Sequence, residues 1–289
     1  MTLVTHDQMQ PRQQAILRRI FAHREGSFGL YLISVMLIVI LLGPVFAPHS
    51  PTDIDLAPAN SLPDAAHLLG TDHLGRDVLS RFLWGGRSIV SIPLLSVTLS
   101  YLTGGFLALL TTYKGGWGNL IVSRIFEVMM SLPGILTTLI LVAAFGPKTE
   151  VLIISLMIGN MPGASRVVQS AVISQTGLEY VQAAQVRGET TFTIVTREIL
   201  PNIALPIVAD FTLRITWGVV ALSTLSFLGL GVQPPTADWG LMILEGRASL
   251  REAPLVVIFP AIGIALLAIG LNLTADAVVK TLVANKSGH

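Results

Sequence analysis

The chain has no cysteine among its 289 residues, and only 12% of them are charged. The first absence removes disulfides, thiolate metal sites and cysteine nucleophiles. The second leaves about half the charge that a soluble domain carries. With a hydrophobic share of 52%, it marks an integral membrane protein. A net charge of +1 gives no electrostatic footprint for nucleic acid. The chain also lacks a Gly-Lys-Ser/Thr phosphate loop, a Gly-x-Ser-x-Gly, a His-Glu-x-x-His and any His within an apolar run. It therefore offers no catalytic residue, and an intramembrane enzyme is without support. No internal repeat is visible, which speaks against a self-sufficient secondary transporter.

What the chain does have is long apolar runs. A spanning helix needs about 20 apolar residues. Phe28–Ala47, Ser88–Tyr113 and Ala253–Ala275 meet this without a charge. Ile125–Pro147 contains one acid, Glu127, and Ile199–Val232 carries Asp210 and Arg214. Val151–Ser165 is shorter and is expected to extend past Arg166. The predicted architecture is an all-α membrane protein, a polytopic bundle of six transmembrane helices. With the N-terminus inside, eleven Lys and Arg fall on inner segments against six on outer ones, so both termini are expected in the cytoplasm. The polar start, Met1–Gly26, is too long for a cleaved signal, and the run after it reads as a retained anchor. The expected layout is a cytoplasmic segment 1–27, a six-span domain 28–280 with an outer segment 48–87 and a cytoplasmic loop 169–200, and a cytoplasmic tail 281–289.

The segment Tyr180–Pro206 is a charged insert between two spans. From Leu178 to Arg187 it has a helical pattern, with Tyr180, Gln182, Ala183 and Ala184 along it. Gly188 supplies a helix stop. A second helix is expected from near Thr190, ending at Leu200-Pro201. The small alanines leave a shallow surface that a partner can cover closely. An amphipathic helix lying on the membrane is the plain alternative, but the segment is not strongly basic and has no broad apolar face. The pattern of Ala183, Ala184, Gly188, Leu200 and Pro201 resembles the EAA loop of bacterial ABC-importer permeases, the elbow that docks on an ATPase. Gln182 stands where that family has Glu, so a charge is lost there.

The outer run HLLGTDHLGRDVLSRFLWGGR, His67–Arg87, contains Gly70, Thr71, Asp72, Gly75, Arg76, Asp77, Ser80 and Arg81. Thr71 or Asp72 is suited to cap a helix start. Asp72–Arg76 and Asp77–Arg81 are then spaced i,i+4 on that helix. The expectation is a capped amphipathic helix at the outer surface whose exposed ion pairs contribute little; the functional alternative is a gate or a contact for an external protein. This run resembles the LGTDxxGRDxxSR signature of the dipeptide, oligopeptide and nickel branch of these permeases. Ser226–Gly240 and the Asn272-Leu273 and Asp276 positions resemble the same branch, and the likeness extends from about Leu30 to Ala277. Ala221 stands where many members carry an acid, and the tail lacks their usual pattern.

Ionisable residues within spans are functional candidates. Asp210 and Arg214 are four apart on the fifth span and share a helical face; a neutralised structural pair is favoured over a pathway lining. Glu127, three residues after Arg124, reads as an interfacial ion pair, and Asp276 as a cap or partner contact. His49, His67 and His73 fall in the outer segment at spacings that do not predict convergence, so no metal site is expected.

The resemblance implies a type I ABC-importer permease fold and a transport subunit without cofactors of its own, in a bacterial inner membrane. It implies a second homologous permease, two ATP-binding subunits that use ATP and Mg²⁺, an external substrate-binding protein and surrounding lipid as partners. Di- or oligopeptides are the leading cargo. Nickel, opines and glutathione-like solutes are the alternatives.

Overall fold

The computed structural model describes residues 24–286, with side chains from 25 to 280. The expectations for residues 1–23 and 287–289 lie outside the described residues. All described regular structure is helical, apart from an isolated antiparallel bridge between Thr71 and Asp77.

Helix α1 spans Arg24–Phe46. Its buried stripe, Met36 and Ile40, faces the bundle, while Ile38, Leu41, Val45 and Phe46 point outward. In water such exposure would be costly; facing lipid tails it is not. Helix α2 runs from Val78 to Lys114 and includes a π-helical turn at Tyr101–Gly105. After a turn at Gly115 come α3, Gly116–Met130, and α4, Gly134–Phe145. Helix α5 spans Thr149–Thr176, continuing past Arg166 as expected. Helix α6, Glu179–Val186, is the short elbow helix. Helix α7 runs from Thr191 to Phe227 and contains a π-helical turn at Ile194–Ile199. Helix α8, Trp239–Gly246, lies in the connection to α9, Leu255–Lys286.

Five of these helices are long and apolar enough to cross a bilayer individually. The third run departs from the sequence expectation: α3 and α4 are bent by 80° at a short break. Pro133 is the cause. It adopts an extended conformation with φ −56° and ψ 129°, has no N–H to donate, and disfavours helix in the residue before it. The twelve residues of α4 cover only about 18 Å, short of a core about 30 Å thick. The expected third span can be made only by the bent pair together, so the described helices number five or six spans according to whether that pair crosses.

Helix α9 packs along α1 and α7, and α5 lies against α2 and α4. Small residues set these approaches. A Cβ on Gly29 would sit 2.7 Å from that of Leu273, and one on Gly218 would sit 2.8 Å from that of Pro93, so the backbones touch where lipid-like packing alone must hold them. The bundle has two differentiated ends. The cap end consists of residues 47–77, the loop after α7, and α8; the elbow end consists of α6 and its flanking turns. A cluster built from Phe82, Trp239, Met242 and Val256 underlies the cap, and one built from Val172, Val181, Ala184, Ile194 and Ile199 anchors the elbow.

Candidate functional site: an exposed elbow and a buried ionic cap

At the elbow, α6 ends as its glycine predicts. Gly188 has φ +73°, the left-handed conformation that side chains disfavour. Its N–H donates to the Gln185 carbonyl at 2.9 Å, and the Glu189 N–H donates back to the Ala184 carbonyl at 3.2 Å. This is a Schellman cap, and it satisfies two carbonyls at the helix end. Val181 and Ala184 are fully buried, whereas Ala183 faces solvent. The Ala-Ala pair is thus divided: Ala184 seats the helix on the bundle and Ala183 belongs to the open face. Leu178, Val186 and Phe192 are exposed on the elbow as well, Val186 at 88%.

Polar side chains brace the elbow from its flanks. Tyr180 donates its hydroxyl to Gln175 Oε1 at 2.8 Å, and Gln185 Nε2 donates to the Tyr113 hydroxyl at 3.0 Å. Gln182 Nε2 donates to the Gly177 carbonyl at 3.2 Å. A carboxylate could not make that bond, so the family departure at Gln182 exchanges a charge for a donor that ties α6 to the end of α5. Arg187 pairs with Glu189 and, at 3.5 Å, with Glu198. The expected second helix does begin after Thr190, whose hydroxyl accepts from the Thr193 N–H. It does not end at Leu200-Pro201. The π-helical turn ending at Ile199 lets the chain pass Pro201 within the next helical turn, where its missing N–H costs little.

At the cap, the outer motif corrects its expectation more sharply. It is not a surface helix. Gly70 and Gly75 have φ +76° and +69°, and a Cβ on either would lie within 2.4 Å of the Ser61 or Ala57 carbonyl oxygen. The motif therefore folds as a tight loop under residues 55–64. The helix starts only at Val78, capped by Asp77, which accepts from the Ser80 N–H at 2.8 Å. Thr71 caps nothing; it is buried, and its hydroxyl donates to the Pro58 carbonyl.

The motif's charges are buried rather than exposed. Arg76 Nε donates to Asp72 Oδ2 at 2.7 Å, and Arg81 NH1 reaches the same oxygen at 2.5 Å. Both guanidiniums also donate to Glu245 Oε2 on α8, at 2.8 and 2.7 Å. The predicted Asp72–Arg76 pair forms, but Arg81 pairs with Asp72 and Glu245 instead of Asp77. Two carboxylates and two guanidiniums thus neutralise one another away from water. Burial pushes the Asp72 carboxyl up, but Arg81 and Arg76 outweigh it and hold it below the ordinary carboxylate value. Glu245 was not legible as a member because it lies far along the chain; only its place about two turns after the Asp-Trp-Gly start of α8 hints at it. That start is itself pinned: Trp239 stacks on Phe82 at 5.0 Å and donates its indole N–H to the Phe82 carbonyl. Asp238, wholly buried, caps α8 and accepts from the Ser88 hydroxyl. Burial pushes its carboxyl up.

With this geometry in place, the comparisons with known proteins decide the family. Residues 100–287 match the model of the binding-protein-dependent transport system inner membrane component. Residues 11–63 match the N-terminal transmembrane domain of oligopeptide transport permease C. The chain belongs to this permease family. Among its relatives are the glutathione transport system permease GsiD of Pectobacterium atrosepticum, 36% identical over 90% of this chain and 85% of that one, and the dipeptide transport system permease DppC of Alkalihalophilus pseudofirmus, 34% identical over 86% and 82%. The DppC of Bacillus subtilis is 32% identical over 92% and 83%. A solved chain of the MetNI methionine ABC transporter, in an inward-facing form, shares the fold with a TM-score of 0.53 at 17% identity, covering 70% of this chain and 96% of that one. The permease is thus a transport subunit, not an enzyme.

Midway through the permease, Asp210 and Arg214 meet as their spacing predicts, with Arg214 Nε donating to Asp210 Oδ2. Asp210 also accepts from the Tyr101 hydroxyl, and Arg214 NH1 donates to the Asn160 carbonyl at 3.4 Å. Tyr101 lies on the π-helical turn of α2, a distortion that places its ring for this contact. Sequence reasoning did not single out Tyr101. The pair joins α2, α5 and α7, and Gly163 leaves the space that the guanidinium occupies. Beside it lies a half-open cavity of about 290 Å³, lined by Gly134, Gly159, Asn160, Trp217, Gly218 and Ala221 among others. Arg124 and Glu127 form an exposed ion pair on α3 at 2.6 Å, as expected.

Proposed function

We propose that the chain is one of two permease subunits of an ATP-driven importer of di- or oligopeptides, with the elbow docked on a separate ATPase and the cap on the outer side of a bacterial inner membrane. The observation that carries this is the division of labour within α6. Val181 and Ala184 are buried in the bundle, and Leu178, Ala183 and Val186 are turned out with Phe192 beside them. Exposed apolar side chains on a polar, membrane-external elbow lack a covering partner in the chain itself. In this reading an ATPase covers them, and closure of two ATPases around ATP and Mg²⁺ pushes α6 as a unit. The Schellman cap and the buried anchor transmit that push to α5 and α7. A second, homologous permease lies across the half-open cavity, and an external binding protein delivers cargo at the cap. Both termini then lie in the cytoplasm.

The relatives named as dipeptide permeases support a peptide cargo. Ala221 lines the cavity, so a site where many family members carry an acid is apolar here. The permease is therefore less selective for a cargo's cationic end than an acid-bearing relative. The relatives named for glutathione support a second reading, a γ-linked tripeptide cargo.

The test is uptake of labelled dipeptide, tripeptide and glutathione, with nickel alongside, in cells lacking this chain. Loss of peptide uptake, restored by wild type but not by Ala183→Asp, carries the proposal. Co-purification of the ATPase with wild type but not with Ala183→Asp locates the defect at the elbow. Retained peptide uptake with loss of another cargo moves the assignment to that cargo. ATPase recovery unchanged by Ala183→Asp removes the docking role.

A further inference from the structure

The cap contains a second polar cluster, distinct from the Asp72–Arg76–Arg81–Glu245 network, and the transport reading does not use it. His49 follows α1, His67 opens the outer motif, and Asp77 caps α2. Spacings of 18 and 10 residues give no sign of a shared site, yet the fold brings the three side chains together. His67 Nδ1 lies 3.0 Å from Asp77 Oδ1, and His49 Nδ1 lies 3.9 Å from Asp77 Oδ2. The two imidazole centroids are 5.0 Å apart. All three ligand atoms lie within 4.8 Å of one another.

Charge accounting separates this cluster from its neighbour. Asp72 and Glu245 are neutralised by two guanidiniums, so the grouping of Asp72, His73 and Glu245, although equally close, has no charge left to hold a cation. Asp77 is just as deeply buried, at 1%. No Lys or Arg among the described residues lies within ion-pair distance of it; its partners are the two imidazoles, the Ser80 N–H and the Ser80 hydroxyl. A carboxylate out of water needs a counter-charge. His49 Nδ1 is itself buried and has no hydrogen-bond partner, although it faces that carboxylate. One cation among the three atoms satisfies both groups.

We propose that His49, His67 and Asp77 form a binding site for a divalent transition ion of the zinc type, which clamps the cap loop to the start of α2. Two imidazoles and one carboxylate are donors that suit such an ion. Bonds of about 2.1 Å in a tetrahedral arrangement put ligand atoms about 3.4 Å apart, a little more than the 3.0 Å from His67 Nδ1 to Asp77 Oδ1 and inside the 4.8 Å that bounds the three ligand atoms. Asp77 binds through Oδ1 and keeps Oδ2 for Ser80, so metal binding leaves the helix cap intact. Binding through His67 Nδ1 uses the neutral tautomer with its proton on Nε2. The half-buried His49 leaves the fourth position open to water. The ion would fasten the segment after α1, the motif loop and α2 at one point, on the face of the permease opposite the elbow.

The experiment uses the intact transporter complex, stripped with chelator and dialysed against zinc. Wild type is expected to retain one zinc per copy of this chain. His49→Gln and His67→Gln should each weaken binding by at least about tenfold, the scale of a disturbed metal shell. His49→Cys, which keeps a zinc donor, should retain it, and His73→Gln should leave it unchanged. Cobalt in place of zinc should give the visible bands of tetrahedral coordination. Wild type that takes up no more zinc than the His49→Gln/His67→Gln double variant overturns the proposal, as does loss of zinc on His73→Gln alone. Should the histidine variants fail to fold, the wild-type cobalt spectrum still decides, and absence of tetrahedral bands overturns the site.

Discussion

The two ends of this permease are built on opposite principles. The cap buries four charged groups in a closed network and stacks Trp239 on Phe82 beneath it. The four charges there answer one another from within the chain, across segments as distant as Asp72 and Glu245. The elbow buries only Val181 and Ala184 of its short helix, and its ion pairs, Arg187 with Glu189 and Glu198, are partly exposed. Its other flank contacts are single hydrogen bonds. A closed network makes a rigid lid; a small anchor leaves an open apolar face, the one proposed to dock the ATPase. Stability should therefore be concentrated at the cap and coupling at the elbow.

The largest break of this comparison is expected from Glu245→Ala. It leaves two buried guanidiniums with one carboxylate, and loss of one partner from a buried ion pair costs about 3–5 kcal/mol. Thermal unfolding of the purified permease should shift down strongly, while ATPase recovery at the elbow is retained in the molecules that fold. A smaller effect is expected from Gly188→Ala, since the left-handed conformation costs an L-residue about 1–2 kcal/mol and no neighbour lies within 4 Å of the added Cβ. Here transport should fall more than stability, because the strain loosens the cap proposed to transmit the stroke. Equal losses at Glu245→Ala and Gly188→Ala in both assays would erase the distinction between the ends.

Two finer predictions sharpen it. The cap contains carboxyls displaced in opposite directions. Asp72 is held below its ordinary 3.8, so its contribution is complete above that value and is lost as pH falls through the lowered one. Asp238 is raised by burial, so its contribution is complete below 3.8 and is lost as pH rises through the raised value. At pH 7, Asp72→Asn should therefore destabilise the permease. Asp238→Asn, which keeps the helix cap without a buried charge, should be neutral or stabilising. Unfolding midpoints measured from pH 7 down to 4 should show the gap between wild type and Asp238→Asn closing. The smallest effect is expected at Gln182→Glu. Loss of one exposed hydrogen bond to the Gly177 carbonyl costs about 1 kcal/mol or less, so the unfolding midpoint should barely move, and any loss of uptake would locate the effect in docking.

Legibility from sequence follows the same division. The elbow was largely readable because its determinants are local: Gly188 stops a helix through its own backbone, and Ala183 and Ala184 sit three and four residues from Tyr180. What was misread there, an end at Pro201, turns on the π-helical turn before it, which no local pattern announces. At the cap the residues were found but their roles were not. The i,i+4 spacing of Asp72 and Arg76 was correct, yet the helix it assumed is a glycine loop. Arg81 takes its partners from Asp72 and from α8. Tyr101 and Glu245 were missed because each acts on a residue more than a hundred positions away.

By itself the sequence determined the membrane class, through charge content and run length, and it located five spanning helices, through the bilayer's demand for about 20 apolar residues. It also determined the left-handed helix stop at Gly188. Tertiary structure alone decided that the motif's charges are buried, that three residues of the cap loop converge on one point, and that α3 and α4 meet at an 80° bend. The reason is physical: helix propensity and hydropathy are properties of neighbouring residues, whereas the burial of a charge depends on what the fold lays over it.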